Sequence, residues 1–195
     1  MLFAVLGLAS INVSPGSIPP RASDYAALDR GEVIKRVEPV KGAAVARVRA
    51  YIVIDAPPQK MFALIDQCND YIKIMPRMTY SKELQRQGNR VTCKVKIKLP
   101  YFLGTLESVT QGIHTVGPPT WGRAWTLVSG NYKRNVGRWN LTAYKGNPNK
   151  TLVEYVLHGV PDLAIPDMLL RKANGRAIPG MLRDFRKRLT GKSTR

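Results

Sequence analysis

The stretch "DAPPQKMFALIDQCNDYIKIMPRM", Asp55 to Met78, decides how the rest of the chain is read. It comes straight off an alternating strand, opens a helix on two prolines and ends it within a few turns. Pro57 and Pro58 suit a first helical turn, where their missing N–H groups have no intrahelical partner to lose. Asp55 stands beside the positive end of the helix dipole, and Gln59, three residues after Ala56, is spaced to reach back as a partial capping box. Met61, Phe62, Leu64, Ile65 and Cys68 make an apolar stripe at helical spacing. Asn69-Asp70 breaks the stripe, and Tyr71, Ile72, Ile74 and Met75 form a second apolar knot before Pro76. A short helix in this place is expected to plug one end of a curved sheet wrapped around an apolar cavity.

Upstream, "AVARVRAYIVI" (44–54) puts Val48, Ala50, Ile52 and Ile54 on one face and Arg47 and Arg49 on the other, the pattern of a half-buried strand. Residues 24–41 are mixed and fit a short helix or a strand equally well. Downstream, "TYSKELQRQGNRVTCKVKIKLP" reads as a hairpin around Gln87-Gly88-Asn89, with Val91, Cys93, Val95 and Ile97 opposite Lys94, Lys96 and Lys98. "GTLESVTQGIHTV", "TWGRAWTLV", "VGRWNLTAY" and "TLVEYVLHGV" follow, separated by turns at Gly117-Pro118-Pro119, Ser-Gly-Asn and Gly146-Asn147-Pro148-Asn149. "IPDMLLRKANGRAIPGMLRDFRKRL" then changes period to about 3.6, with Asn174-Gly175 and Pro179 arguing for a kink or break. The expected order is strand, short helix, six strands, long helix. This is an α+β fold with a curved, seven-stranded antiparallel sheet around a long C-terminal helix.

Length and charge narrow the rest. The 195 residues suffice for one domain with a real core: a possible signal-like or flexible segment over 1–23, an extension over 24–43, the domain over 44–190 and a basic tail over 191–195. Lys and Arg number 31 against 13 Asp and Glu, a net charge of +18, which attracts anionic lipid, nucleic acid or acidic proteins. Leu2 to Leu8 is apolar and is followed by small Ala9 and Ser10, resembling the latter part of a secretory signal, although no Lys or Arg precedes it. Periplasmic or other export is expected on that basis, with a cytoplasmic protein carrying a loose N-terminal arm as the alternative. Cys68 and Cys93 have neither CxxC spacing nor flanking His or Asp, so no metal site is expected. They read as two half-buried thiols, or as one disulfide if the protein is exported.

An antiparallel sheet with one apolar face must cover it, and a strongly twisted seven-stranded sheet cannot close-pack along its whole width on one helix. The remaining gap is a mostly apolar pocket, where ligand sites occur. The pattern resembles the START-like helix-grip (SRPBCC) superfamily, and within it the polyketide cyclase and coenzyme Q-binding START-like branch. The "I-x-A-P" step at Ile54 to Pro57, "DYIKIMP" at 70–76 and the proline-containing last helix carry this resemblance, which spans about 44–189. It implies a hydrophobic ligand between sheet and helix, with no cofactor and no fixed catalytic set.

The expected cavity wall comprises Ile52, Val95, Ile97, Val109, Trp125, Trp139 and Val156 on the strands, with Met168, Met181, Leu182 and Phe185 on the helix. Each of these is also an ordinary core position, and Met adds a wall that re-packs around varied shapes. Glu154 and His158 lie four apart on one strand, about 13 Å at ~3.3 Å per residue, too far for a direct acid–base pair. If their face points inward they anchor a ligand's polar head, but Val153, Tyr155 and Leu157 compete for the inward side. His114 ends its strand and is expected at the surface. No Ser/His/Asp set, carboxylate pair or phosphate loop is present, and no catalytic residue is assigned.

In the last 30 residues nine basic side chains face only Asp167 and Asp184, a net +7. Arg171, Lys172, Arg176, Arg183, Arg186 and Lys187 are therefore the expected membrane contacts of a basic amphipathic helix. The function these features point to is binding or transport of a hydrophobic, lipid-like ligand by a monomer that docks on anionic membranes. The alternatives are a nucleic-acid- or ribosome-associated regulator, for which no base-reading motif is present, and a cyclase or hydratase using the same cavity.

Overall fold

The structure, a computed structural model, describes residues 17–100, 103–163 and 167–191, and for 167–176 the backbone only. A 3-10 turn (Ala22–Asp24) leads into α1 (Tyr25–Asp29), β1 (Ile34–Glu38), β2 (Arg47–Ile54) and α2 (Pro58–Asp66). After a second 3-10 turn (Cys68–Asp70) and α3 (Tyr71–Ile74) come β3 (Met78–Gln87), β4 (Arg90–Lys98), β5 (Thr105–Thr115), β6 (Thr120–Gly130), β7 (Tyr132–Tyr144) and β8 (Asn147–Pro161), and α4 (Asp167–Thr190) closes the chain. The eight strands form one antiparallel sheet in the order β1-β2-β8-β7-β6-β5-β4-β3. Sequence reasoning expected seven. The added strand, β1, is five residues long and carries Lys35, Arg36 and Glu38, so its alternation is too brief and too charged to stand out.

The meander follows from its turns. Lys145 and Gly146, with φ of 52° and 77°, make the two-residue link between β7 and β8, the geometry that matches strand twist in a tight hairpin. Gly88, φ 57°, turns β3 into β4 where the sequence places it. The helix of the opening stretch forms as read: Pro58 is its first residue, and Met61, Phe62 and Ile65 are buried. The partial capping box does not form. The first turn is closed by backbone bonds from Lys60 and Met61 to Pro57 O, and the Asp55 carboxylate pairs with Lys150 at 3.2 Å. Of the kink or break expected at Asn174-Gly175 and Pro179, the break does not occur: the terminal helix runs continuously from Asp167 to Thr190.

The main core lies between the helix-facing side of β2, β7 and β8 and the helices α2 and α4. Ile52, Ile54, Met61, Trp139, Leu141, Val153, Leu182 and Phe185 pack there, with the Trp139 and Phe185 rings 5.4 Å apart. Two smaller clusters matter for the site. Cys68, Tyr71, Val91 and Cys93 pack together where the second 3-10 turn and α3 meet β4. The two cysteines are fully buried and joined as a disulfide, Cα atoms 6.1 Å apart, in place of two half-buried thiols. On the outer face Leu28 of α1 packs with Tyr51, Val53 and Tyr144. Covered on both sides, β2 is buried from Val48 to Ile54, so Arg49, read as part of an exposed polar face, is enclosed.

Candidate functional site

Cross-strand partners in an antiparallel sheet point to the same side, so the register identifies the rows that face α4. β8 offers Val153, Tyr155 and Leu157, aligned with Leu141, Trp139 and Gly137 of β7 and with Ile52, Ala50 and Val48 of β2. From β6 come Trp121, Arg123 and Trp125, from β5 Leu106, Ser108, Thr110, Gly112 and His114, and from β4 Val91, Cys93, Val95 and Ile97. Of the expected wall, Ile52, Trp139, Met181, Leu182 and Phe185 are on this side but fully packed in the core. Val95, Ile97 and Trp125 are on it and half-buried, with part of their surface open. Met168 lies outside the described side chains.

Four expected residues face the other way. Val109 aligns with Lys94 on the outer side. Glu154, Val156 and His158 align with Asn140, Arg138 and Val136, also outward. The two strands mislead for different reasons. β8 is apolar on both faces, so alternation there does not choose a side, and the inward row of β5 is mostly polar or glycine, which hides it from a hydropathy pattern. Glu154 is instead the centre of a buried ion cluster: it accepts from Arg49 and Arg138, and its carboxylate is capped by the Ser17 hydroxyl at 2.8 Å and the Ile18 N–H at 3.2 Å. His158 Nε2 lies 2.9 Å from Val45 O.

Sequence reasoning missed the inward polar groups. The Trp125 indole N–H donates to Asn135 Oδ1 at 3.0 Å, and Asn135 Nδ2 donates to Ser108 Oγ at 3.2 Å, forming a hydrogen-bonded row across three strands of the concave face. Gly137 makes the row possible, because a Cβ there would come within 2.4 Å of the Trp125 ring. Tyr155 packs beside Trp139 (centroids 4.4 Å) and Trp125 (6.0 Å), and burial holds its phenol far above the ordinary range. Burial raises Tyr132, at the start of β7, to about 12. The signal for this row is positional only: aromatic residues two apart from small ones on adjacent strands.

At the α2 end a second polar set sits deeper. His114 is 4% exposed rather than at the surface, because α2 lies across the end of its strand. Its Nδ1 is 2.8 Å from Asp66 Oδ1, and its ring meets the Phe62 ring edge-on at 5.6 Å. A carboxylate only accepts, so the proton sits on Nδ1 and Nε2 carries the lone pair. Burial first, and the nearby Arg123 charge second, lower the imidazole to about 4 despite Asp66. Arg123 donates to the Tyr71 hydroxyl, which donates to Ile65 O. Among the described residues no three His, Cys, Asp or Glu side chains cluster as metal ligands.

The expected membrane contacts divide. Arg183 and Lys187 are exposed. Arg186 is buried, its guanidinium donating to Gly31 O, so it ties the turn after α1 to the terminal helix and offers no surface charge. The side chains of Arg171, Lys172 and Arg176 lie outside the described residues.

This curved sheet closed by a terminal helix agrees with the family comparison. The family model described as polyketide cyclase / dehydrase and lipid transport matches residues 54–186. The chain belongs to that family. Solved structures share the fold with this lipid-transport and cyclase family member at low identity. A STAR-related lipid transfer protein from Xanthomonas axonopodis has a TM-score of 0.71 at 16% identity, covering 80% of this chain and 93% of that one. Human StAR-related lipid transfer protein 5 has a TM-score of 0.70 at 10% identity, covering 82% and 83%. The Zhui aromatase/cyclase of a Streptomyces species has a TM-score of 0.57 at 11% identity, covering 76% and 98%. No curated protein matches the sequence. The START-like fold supports binding of a hydrophobic small molecule or lipid in general.

Proposed function

We propose that this protein binds and carries a lipid-like molecule between the concave face of its sheet and α4, collecting or releasing it at anionic membranes. The observation that carries this reading is the set of half-buried residues on the helix-facing side, Val95, Ile97, Trp125 and Leu157. Packed interiors leave few such surfaces open, and an apolar wall broken by a few fixed polar groups is the usual make-up of a small-molecule site. The row from Trp125 through Asn135 to Ser108 supplies those groups. The net charge of +18 supports membrane docking, with exposed Arg183 and Lys187 on the terminal helix each adding about 1 kcal/mol near an anionic surface. Export, suggested by the first residues, would place the exchange at the outer side of a membrane.

Gentle purification of the full chain, organic extraction and mass spectrometry test the proposal. An apolar molecule in the extract at near-stoichiometric amount is expected, together with sedimentation on vesicles containing phosphatidylglycerol that is lost at high salt. An empty protein that also ignores such vesicles would overturn it.

A further inference from the structure

Tyr155 is 92% enclosed, and among the described residues its hydroxyl has no hydrogen-bond partner. The neighbouring Tyr132 hydroxyl, half-buried, has none either. The polar groups of the Trp125–Asn135–Ser108 row bond one another and none of them bonds the Tyr155 hydroxyl. The surroundings of Tyr155 are open on one side. Trp125, Leu157, Gly159 and Tyr132 are all half-buried, and a Cβ added at Gly159 would meet Leu157 and Tyr132 at 3.8 Å, ordinary van der Waals contact. The phenol therefore stands in the concave face beside unfilled surface, with its own donor unspent.

Charge decides what could use that donor. Along the described inward rows of β4 to β8 one side chain is charged, Arg123, and its guanidinium is held by Tyr71 over Gly112, where a Cβ would come within 2.5 Å of it. Among the described residues a carboxylate or phosphate beside Tyr155 would meet no free counter-charge, and an unpaired charge in an apolar site costs several kcal/mol. A neutral oxygen carries no such penalty and accepts one good hydrogen bond from the phenol.

We propose that the Tyr155 hydroxyl, with Tyr132 beside it, anchors an uncharged oxygen of the ligand, the carbonyl of an ester or ketone or the hydroxyl of an alcohol. The assignment rests on the carrier reading above and names the ligand class for it. The variant Tyr155→Phe removes the hydroxyl alone and leaves the ring on Trp139 and Trp125.

The test measures binding of methyl palmitate, hexadecanol and palmitate to delipidated full-length protein by tryptophan fluorescence, alongside mass spectrometry of the native extract. Wild type is expected to bind the ester and the alcohol at least tenfold more tightly than the carboxylate and to co-purify with an uncharged oxygenated lipid. Tyr155→Phe is expected to lose 3–10-fold for ester and alcohol, the worth of one hydrogen bond, while the empty variant melts near the wild-type temperature because among the described residues the hydroxyl has no hydrogen bond to lose. Should Tyr155→Phe fold poorly, Tyr132→Phe read in the same assay is expected to lose affinity for the same two probes. Equal binding by wild type and both variants, or preference for palmitate or an anionic lipid, overturns the assignment and leaves the carrier function standing. A wild-type protein that binds no probe and yields no lipid overturns the carrier function itself.

Discussion

Arg49 of β2 and Glu154 of β8, 105 residues apart, form a buried ion pair on the outer face of the sheet, each about 2% exposed. Arg138 and Glu38 extend it, and Ser17 and Ile18 close it from outside. Tyr51 bonds the Ile18 carbonyl at 2.7 Å, so the segment is pinned on both sides of the pair. Removing one charge from such a cluster leaves the other buried without compensation, at about 3–5 kcal/mol. Glu154→Leu is expected to cost that much in urea unfolding. The double variant Arg49→Met/Glu154→Leu is expected to recover part of the loss, a coupling read from the double-mutant cycle. Ligand content is expected to stay near wild type in any variant that folds, since Glu154 does not face the concave side.

Three basic residues of the terminal helix separate by location. Arg186 bonds the Gly31 carbonyl, and Gly31 sits at φ 78° with no room for a Cβ, which would meet Arg186 Nη1 at 2.8 Å. Arg186→Met is expected to destabilise the protein by about 1.5–3 kcal/mol, as for a lost hydrogen bond to a charged group. Arg183→Ala and Lys187→Ala are expected to change stability by less than about 0.5 kcal/mol and to weaken binding to anionic vesicles about fivefold each. Thermal melts and vesicle sedimentation on the same three proteins check the division.

How far the chain could be read depended on whether the two faces of each element differ in chemistry. In β4 they do: lysines alternate with Val91, Cys93, Val95 and Ile97, and the inward row is the one the pattern predicts. In β2 the faces were assigned correctly, but the burial of Arg49 was not, because it depends on Glu38 of β1 and on Glu154, more than a hundred residues away. β8 defeats the pattern by being apolar on both sides. β5 defeats it by turning Ser108, Thr110 and His114 inward, where polar residues are tolerated only because Asn135 and Asp66 meet two of them. His114 looked exposed at its strand end, since nothing in its local sequence shows that α2 crosses there. The helix on Pro57-Pro58 and the meander were readable from turn and cap chemistry; the polar lining of the concave face required the register.

Gly137 tests whether the Trp125 row is built as described. A Cβ at this position would meet the Trp125 ring at 2.4 Å and Val156 O, a backbone atom, at the same distance. The ring can swing away but the backbone cannot give cheaply, so Gly137→Ala is expected to cost about 1–3 kcal/mol, as overpacking does. Loss of the Trp125–Asn135 bond is expected to shift the tryptophan emission and to lower ligand occupancy. Unchanged emission with full occupancy would show that the indole does not rest on Gly137.

The buried His114 makes stability depend on pH in a defined window. Asp66 faces it from α2, Arg123 from β6, and Arg86 reaches the same carboxylate at 2.9 Å. Its folded value is lowered from 6.5 to about 4, so between those pH values the unfolded chain binds the extra proton. Stability is therefore full above about pH 6.5 and falls as pH drops toward 4. Lowering the pH from 7 to 5 is expected to cost about 2 kcal/mol through this residue, from the linkage relation. Burial lowers His158 as well, which adds loss in the same direction. The carboxylates held down by their partners, Glu38 beside Arg49 among them, contribute only at more acid pH, because their stabilisation is lost as pH falls through their lowered folded values. His114→Gln removes the titration while keeping a side-chain amide near Asp66. Urea midpoints at pH 5 and pH 7 are expected to differ clearly less in this variant than in wild type. An equal pH slope in both proteins would mean that His114 is not held neutral inside the fold.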